Sequence, residues 1–212
     1  MSDSGSFSAR NGSGFCRSLK NIEKAGRQTV RFFIFEVKNL LFTPTKAYLS
    51  ILDVTPEVLD EMGVNAIILD IDNTMTTHDN PRPIDGLFDW LDSMRSHGVK
   101  LMIVSNNHVP RVTPFAEMLG IDFVPEGAKP LTKCYRQAAE KLGVPKKNIV
   151  TIGDQLFTDI LGAKLFGIKS ILVKPIELER TRFFKFKRAM EKLFLPKEYL
   201  GETVPTIDGK VI

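Results

Sequence analysis

The sequence predicts an α/β fold in which a doubly wound, Rossmann-like parallel sheet carries helices on both faces. From about residue 43 onward, apolar runs of four to six residues alternate with longer amphipathic stretches, and most of these stretches end at a glycine. Short apolar runs are typical of strands buried on both faces. Strands that alternate with helices form parallel sheets through right-handed crossovers.

The predicted elements follow one another in a regular order. The first helix begins at Thr55-Pro56-Glu57, which supplies a capping hydroxyl, a proline at the first helical position and an early acidic residue. Four more helices, each followed by a glycine, are predicted over residues 84–97, 109–119, 131–142 and 155–166. Five strands are predicted over residues 66–69, 99–104, 121–124, 148–152 and 168–173.

The two ends of the chain differ in composition from this central domain, which we place at residues 43–196. Residues 1–14 are rich in Ser and Gly and are predicted to be disordered. Residues 15–42 form a basic extension with apolar residues at near-helical spacing. Residues 181–194 (TRFFKFKRAMEKLF) interleave aromatic and basic residues in a predicted helix, and residues 197–212 form a predicted C-terminal tail.

Positive charge is concentrated in segments that flank the central domain. The chain has a net charge of +4, but residues 1–32 carry six basic residues against two acidic ones, and residues 174–197 carry eight against three. Such segments fit an anionic surface, either lipid or nucleic acid, whereas an ordinary helix with a charged outer face is the alternative. The role of residues 1–42 stays open between docking on the domain, membrane contact and targeting.

Several classes of protein are excluded or disfavoured by composition. No stretch of the sequence reaches the roughly eighteen apolar residues that a membrane-spanning helix needs. The two cysteines, Cys16 and Cys134, do not make a disulfide framework or a metal cluster. The sequence also shows no apolar signal segment. We therefore expect a cytoplasmic protein, peripheral on the inner membrane face if its basic segments bind lipid.

Polar side chains follow the predicted strands at the points where these strands end. They are, in chain order, Asp70, Asp72, Ser105, Lys129, Asp154 and Asp159. Because ligands bind beyond the carboxyl ends of parallel strands, these groups should converge at one edge of the sheet. Each has an ordinary alternative, since Asp and Ser often cap turns and helices and a lysine is usually a solvated amine. Their joint order favours a site.

This order resembles the four motifs of phosphatases of the haloacid dehalogenase (HAD) superfamily. More narrowly, the chain resembles the YqeG family, the class IIIA branch that includes phosphatidylglycerophosphate phosphatases. The resemblance covers about residues 43–196 and rests on four motifs, LDIDNT, IVSNN, KP and GDQ-x-x-TD. It implies a HAD-type fold and a phosphatase.

The resemblance also implies roles for the acidic residues. Asp70 would be the nucleophile, forming an aspartyl-phosphate, and also a ligand of Mg²⁺. Asp72 would act as general acid and base, with its backbone carbonyl as a second metal ligand. Asp154 would complete the Mg²⁺ coordination, and Asp159 would act through water or hold its neighbours in place.

Four further residues are candidates for contact with the phosphorylated substrate, and the position of a fifth, His78, stays open. Ser105 and Lys129 would hold the phosphoryl oxygens. Asn106 and Arg111 could reach a second anionic group on the substrate, or could be a helix cap and a solvated arginine. His78 lies in the loop after the first motif, near the site or in solvent.

The spacing of the motifs leaves no room for a cap domain. Between Asp70 and Ser105 the chain can hold one loop and one helix, and between Ser105 and Lys129 one helix and a short strand. The site should therefore be open, with residues 75–83 as a flap, which favours a phosphate on a large partner. We expect a phospholipid headgroup, phosphatidylglycerophosphate, at an anionic membrane surface. A protein, nucleic-acid or metabolite phosphate and a non-catalytic scaffold are the alternatives.

Overall fold

The computed structural model describes residues 29, 32, 36, 38–78, 80–177 and 189–211. The chain divides into two compact units, residues 1–40 and residues 41–212. In the first unit, Thr29, Phe32 and Glu36 are helical and exposed. The predicted disordered tail and most of the predicted basic extension lie outside the described residues.

A six-stranded sheet forms the centre of the second unit. Its strands are β1 (Lys46–Tyr48), β2 (Ala66–Leu69), β3 (Lys100–Val104), β4 (Phe123–Val124), β5 (Ile149–Gly153) and β6 (Lys169–Val173). The strand order is β1-β6-β5-β2-β3-β4, and every neighbouring pair is parallel. The predicted parallel sheet is confirmed, with β2 at its centre between β3 and β5. The carboxyl ends of these three strands therefore meet at one edge.

Helices cover both faces of this sheet, as predicted. They are α1 (Pro56–Met62), α2 (Leu87–Ser96), α3 (Val109–Leu119), α4 (Thr132–Leu142) and α5 (Leu161–Phe166), the last preceded by a π-helical segment, Leu156–Ile160. Alternate residues of β2 belong to separate cores: Ile67 and Leu69 pack with α1, α2 and α3, whereas Ala66 and Ile68 pack with α4 and α5. This alternation follows from the two-residue period of a strand.

Two elements of the central region differ from the prediction. Strand β1 was not predicted, because three residues are too few to show an apolar period. Residues 155–166, predicted as one helix, begin with the π-helical segment and become α-helical only at Leu161.

In the described part of the chain, the connections from β2 to β4 hold loops, α2 and α3, so no cap domain is inserted there. Among these residues, no helix is long and apolar enough to cross a membrane.

The segment predicted as a C-terminal tail is attached to the domain at several points. Leu200 exchanges backbone hydrogen bonds with the edge strand β1, donating to Ala47 O and accepting from Leu49 N. Farther on, β7 (Thr206–Ile207) and β8 (Lys210–Val211) form an antiparallel hairpin. Of the predicted helix over residues 181–194, only the last six residues are described, and residues 189–191 are helical.

Asp53 ends a short 3₁₀ helix (Ile51–Asp53) that follows β1, and it links this helix to the C-terminal segment. Its carboxylate accepts hydrogen bonds from Ser50 N at 3.0 Å, Thr203 N at 3.2 Å and Thr203 Oγ1 at 2.6 Å. We expect Asp53→Ala to lower the free energy of unfolding by about 1–3 kcal/mol, because these donors lose their acceptor. Urea denaturation checks this, with the exposed Glu140→Ala, expected within about 0.5 kcal/mol of wild type, as the control. Equal midpoints for both variants would contradict this role of Asp53.

Candidate active site

The carboxyl ends of β2, β3 and β5 border a cavity of about 140 Å³. Ten residues line it: Asp70, Asp72, His78, Ser105, Asn106, Asn107, Lys129, Gln155, Thr158 and Asp159. Six of the predicted site residues are in this set, and the other two lie beside it, since Asp154 adjoins Asp70 and Arg111 contacts Asp72. The structure therefore brings together all of the predicted site residues.

The loop after β2 presents its two aspartates on a tight turn. Asp70 N donates to Ile152 O at 3.0 Å, which continues the β2–β5 pairing to the point where the chain turns. Asn73 then adopts a left-handed conformation with φ 59°, which asparagine tolerates better than most residues. Within the described residues the buried hydroxyl of Thr74, next along the chain, makes no hydrogen bond. Instead Thr76 Oγ1 donates to the backbone oxygens of Asn80 and Arg82 in the flap.

Lys129 is buried at the centre of the site and joins two carboxylates. Its Nζ donates to Asp70 Oδ1 at 2.5 Å and to Asp159 Oδ1 at 2.7 Å, and only 7% of the residue is exposed. The alternative of a solvated surface amine is therefore wrong.

Asn106 holds the backbone of Lys129 from both sides. Its Oδ1 accepts from Lys129 N at 2.7 Å, and its Nδ2 donates to Lys129 O at 3.2 Å. Glu126 and Ala128, just before the lysine, both have left-handed backbone, which costs a non-glycine residue roughly 1 kcal/mol each. The loop is thus held in an unfavourable conformation that places the lysine in the site. The substrate contact expected of Asn106 stays a prediction beside this observed role.

Asp159 is positioned by the turn after β5. Its Oδ2 accepts from Gln155 N at 3.2 Å, while its Oδ1 accepts from Lys129. A Cβ atom on Gly153 would lie 2.4 Å from Asp159 Cγ, a distance that no real contact allows. Only glycine therefore fits at position 153 while Asp159 stays bound to the lysine.

The site holds more negative than positive charge. Burial raises the pKa of Asp70 to about 7, and the charge of Asp159 adds to this effect while Lys129 opposes it. Burial lowers the pKa of Lys129, but the carboxylates of Asp159 and Asp70 outweigh it and raise the pKa well above its ordinary value. The lysine is therefore an ammonium at neutral pH, and ionisation of Asp70 costs free energy unless more positive charge is bound nearby.

A metal cation would supply that positive charge. Ligand atoms of Asp70, Asp154 and Asp159 lie within 4.8 Å of one another, and all three residues are buried. Carboxylate oxygens are the ligands that Mg²⁺ and Ca²⁺ prefer. The residues present therefore fit the predicted Mg²⁺, and Asp159 joins Asp70 and Asp154 as a candidate ligand. The contribution of the Asp72 carbonyl stays a prediction.

We expect Mg²⁺ to stabilise the folded protein. At ten times its dissociation constant, a ligand that binds only the folded state adds about 1.4 kcal/mol, which raises the melting temperature by roughly 3–5 °C for a chain of this size. Asp154→Asn should remove most of this increase, because one carboxylate ligand is lost. Thermal unfolding with and without Mg²⁺ measures it, and the exposed Asp89→Asn is the control. An increase that is undiminished in Asp154→Asn would show that the cation binds elsewhere.

The polar residues around Asp72 have contacts that the sequence did not indicate. Ser105 is buried, and its Oγ accepts from Asn107 N at 3.1 Å, so it shapes a turn as well as lining the cavity. Asn107 and Arg111 each donate to the Asp72 carboxylate, and His78 Nδ1 lies 3.9 Å from Asp72 Oδ1. Arg111 is thus no solvated arginine, and substrate contact by Ser105 and Arg111 stays a prediction.

Sequence reasoning missed three of the residues that line the cavity. Of the neighbouring residues Asn106 and Asn107, only Asn106 was predicted to lie in the site. Two adjacent asparagines carry no sequence signal that tells which of them contacts Lys129 and which contacts Asp72. Gln155 and Thr158 lie within the fourth motif, between Asp154 and Asp159, and their position next to two candidate ligands was the available signal.

This arrangement suits nucleophilic displacement at an anionic centre. One carboxylate, on Asp70, faces the cavity beside a buried ammonium and a candidate cation site, so an anion could approach it without net repulsion. A second carboxylate, on Asp72, lines the same cavity and could exchange a proton with bound oxygen atoms.

Comparison with known proteins gives consistent results. A family model described as a haloacid dehalogenase-like hydrolase matches residues 19–167. The curated protein "Probable phosphatase YqeG" of Bacillus subtilis (strain 168) is 39% identical over 154 residues, which cover 73% of this chain and 90% of that protein.

Similar solved structures were also found at low sequence identity. An uncharacterized protein from Listeria monocytogenes serotype 4b is 18% identical with a TM-score of 0.46, covering 61% of this chain and 98% of that one. A haloacid dehalogenase-like family hydrolase from Brucella suis 1330 is 14% identical with a TM-score of 0.45, covering 56% and 88%.

Proposed function

The chain belongs to the haloacid dehalogenase-like hydrolase family, in its YqeG branch, and we propose that it is a Mg²⁺-dependent phosphatase that acts on phosphatidylglycerophosphate at a membrane surface. One observation carries the catalytic part of the proposal. Lys129, buried and charged, joins Asp70 to Asp159, and a third carboxylate, Asp154, lies within reach of both aspartates. A cluster of this kind holds a carboxylate ready to attack a phosphate that is itself anionic.

The first half of the reaction transfers the phosphoryl group to the protein. A carboxylate oxygen of Asp70 attacks phosphorus, and the bond between phosphorus and the leaving alcohol oxygen breaks. Asp72 gives its proton to that oxygen, so the alcohol leaves uncharged. The ammonium of Lys129 and the hydroxyl of Ser105 hold the other phosphoryl oxygens.

The second half releases phosphate. Asp72, now ionised, takes a proton from a water molecule, and the water oxygen attacks the phosphorus of the aspartyl-phosphate. The bond from phosphorus to Asp70 breaks, which restores the carboxylate and frees inorganic phosphate. Mg²⁺, held by Asp70 and Asp154 with Asp159 close by, would supply positive charge for the phosphoryl oxygens.

The substrate part of the proposal rests on access and charge. Without a cap domain in the described region between β2 and β4, a phosphate on a large partner can reach the cavity. The basic segments, residues 1–32 and 174–197, would bind the anionic lipid surface that carries such a headgroup. The protein would then be peripheral on the inner membrane face.

Phosphate release from phosphatidylglycerophosphate in mixed micelles with Mg²⁺ tests the proposal. Wild-type protein should release phosphate faster from the lipid than from soluble glycerol phosphate, and Asp70→Asn should release none. Equal rates on the lipid and on its soluble counterpart would argue against the membrane substrate. Turnover of 5′-phosphorylated RNA, with salt-dependent RNA binding and no binding to anionic vesicles, would indicate a nucleic-acid substrate instead.

A further inference from the structure

The carboxylate of Asp72 is held by donors on both of its oxygens. Asn107 Nδ2 donates to Oδ2, and Arg111 Nη2 donates to Oδ1 at 3.2 Å. The side chains of Arg111 and Asp72 are 24% and 17% exposed, so this ion pair is partly shielded from water. An ion pair in such a setting is more strongly oriented than one on the open surface.

Both donors are themselves fixed by neighbouring parts of the site. The backbone N–H of Asn107 donates to Ser105 Oγ at 3.1 Å, and its carbonyl accepts from Glu126 N at 3.0 Å. Arg111 stands in the first turn of α3, and the nitrogen that contacts Asp72 also donates to Asn80 O in the flap, at 3.2 Å. Each donor therefore links Asp72 to a different element.

We infer that Asn107 and Arg111 are positioning residues that aim the carboxyl group of Asp72 at the leaving oxygen. This inference rests on the proposed function, since it assigns them a role in the same reaction. An aspartate in a loop could otherwise rotate about its side-chain bonds, and proton transfer needs an oxygen within hydrogen-bond reach of the atom that receives the proton. Two donors from different elements select one orientation.

The two donors leave Asp72 free to exchange a proton. Each carboxyl oxygen has two lone-pair directions, so an oxygen that accepts one hydrogen bond keeps another direction for a proton. Arg111 also donates to Asn80 O in the flap, so the side chain that contacts Asp72 is itself held at a second point. Loss of either donor should therefore harm proton transfer more than it harms binding of the phosphoryl group.

A comparison of two substrates separates these effects. The oxygen that leaves from p-nitrophenyl phosphate needs little protonation, whereas the oxygen that leaves from glycerol phosphate needs a general acid. The ratio kcat/KM reports events up to phosphoryl transfer. We expect Arg111→Gln and Asn107→Ala to lower kcat/KM for glycerol phosphate about 10- to 100-fold, and for p-nitrophenyl phosphate less than about 3-fold.

A second set of variants distinguishes positioning from substrate contact. In an Asp72→Asn background, Arg111→Gln should cause no further loss, because the group that it positions is already gone. Arg111→Lys, which keeps a charged donor, should recover part of the activity on glycerol phosphate. Arg95→Gln is the matched control: Arg95 donates to the carbonyl of Leu119 at the other end of α3 and does not touch Asp72.

The possible results separate the inference from the proposed function. Equal losses on both substrates, or a loss from Arg111→Gln that persists in the Asp72→Asn background, would overturn positioning and indicate direct contact with the substrate. The same selective loss in Arg95→Gln would attribute the effect to loosening of α3. Absence of Asp70-dependent turnover on phosphatidylglycerophosphate as well as on these two substrates would overturn the proposed function, and the inference with it.

Discussion

Asp70→Asn should abolish phosphate release, lowering kcat by about 10⁴-fold or more, because an amide oxygen cannot form the phosphorylated intermediate. The variant keeps the shape of the side chain and an oxygen that can accept from Lys129. Its loss of activity would therefore reflect the missing nucleophile and not a change in the shape of the site. Steady-state phosphate release with Mg²⁺ measures it, and the exposed Asp89→Asn should retain wild-type activity. Turnover at more than about a tenth of the wild-type rate in Asp70→Asn would contradict the nucleophilic role.

The same substitution should make the metal-free protein more stable at neutral pH. Burial raises the pKa of Asp70 to about 7 in the folded state. As pH rises from about 4 to 7, the unfolded chain gives up this proton before the folded chain does, so the wild type loses stability over that range. The asparagine variant lacks this loss. We expect its advantage in unfolding free energy to grow by about 4 kcal/mol as the pH rises from about 4 to about 8, and then to stay constant.

Chemical denaturation of both proteins in the presence of a chelator, at several pH values, tests whether the stability advantage of Asp70→Asn grows with pH. An advantage for Asp70→Asn that is as large at pH 4 as at pH 8 would assign the stabilisation to packing. Residues that serve a reaction are often unfavourable for stability, so a more stable but inactive variant is the expected pattern.

Lys129→Met should reduce both activity and stability. Without the ammonium, Asp70 and Asp159 remain buried and uncompensated, and breaking a buried ion pair from one side costs about 3–5 kcal/mol. Loss of the charge that faces the phosphoryl oxygens should lower kcat/KM by about 10²- to 10³-fold. Denaturation and phosphate release measured on the same preparation check both effects.

Lys141→Met is the matched control for this lysine. Lys141 lies on the same helix, α4, that follows Lys129, and it forms an exposed ion pair with Asp122 at 2.9 Å. Surface pairs contribute about 0–1 kcal/mol, so this variant should stay close to wild type. Adding Asp159→Asn to Lys129→Met should restore part of the stability and none of the activity. If the double variant were less stable than Lys129→Met, the account of the buried charges would be wrong.

Much of the fold could be predicted from the sequence, because most of its strands and helices are marked by local patterns of apolar residues and glycines. The run of residues 66–69 is apolar throughout since β2 is buried on both faces, and the glycines after α3 and α4 adopt the left-handed conformation that ends a helix. Strand β1 and the C-terminal hairpin could not be predicted in this way. Both are short, and both depend on distant residues: β1 pairs with β6, and the hairpin donates hydrogen bonds to Asp85.

The candidate site was predictable in its membership and less so in its contacts. Strand ends place Asp70, Ser105 and Asp154 at one edge of the sheet, whatever the loops do. Which neighbour each side chain contacts depends on loop geometry, and the sequence carries no periodic signal for that. Asn106 therefore supports the backbone of Lys129, while Asn107 contacts the carboxylate of Asp72.

The most direct test of the central claim is to trap the phosphorylated protein. Wild-type protein mixed with labelled phosphatidylglycerophosphate and Mg²⁺ is quenched in acid within a single turnover, and the labelled peptide is identified by mass spectrometry. We expect label on Asp70 alone, released by hydroxylamine as expected of an acyl phosphate, and none in Asp70→Asn. Label on another residue, or phosphate release without any labelled protein during turnover, would contradict it.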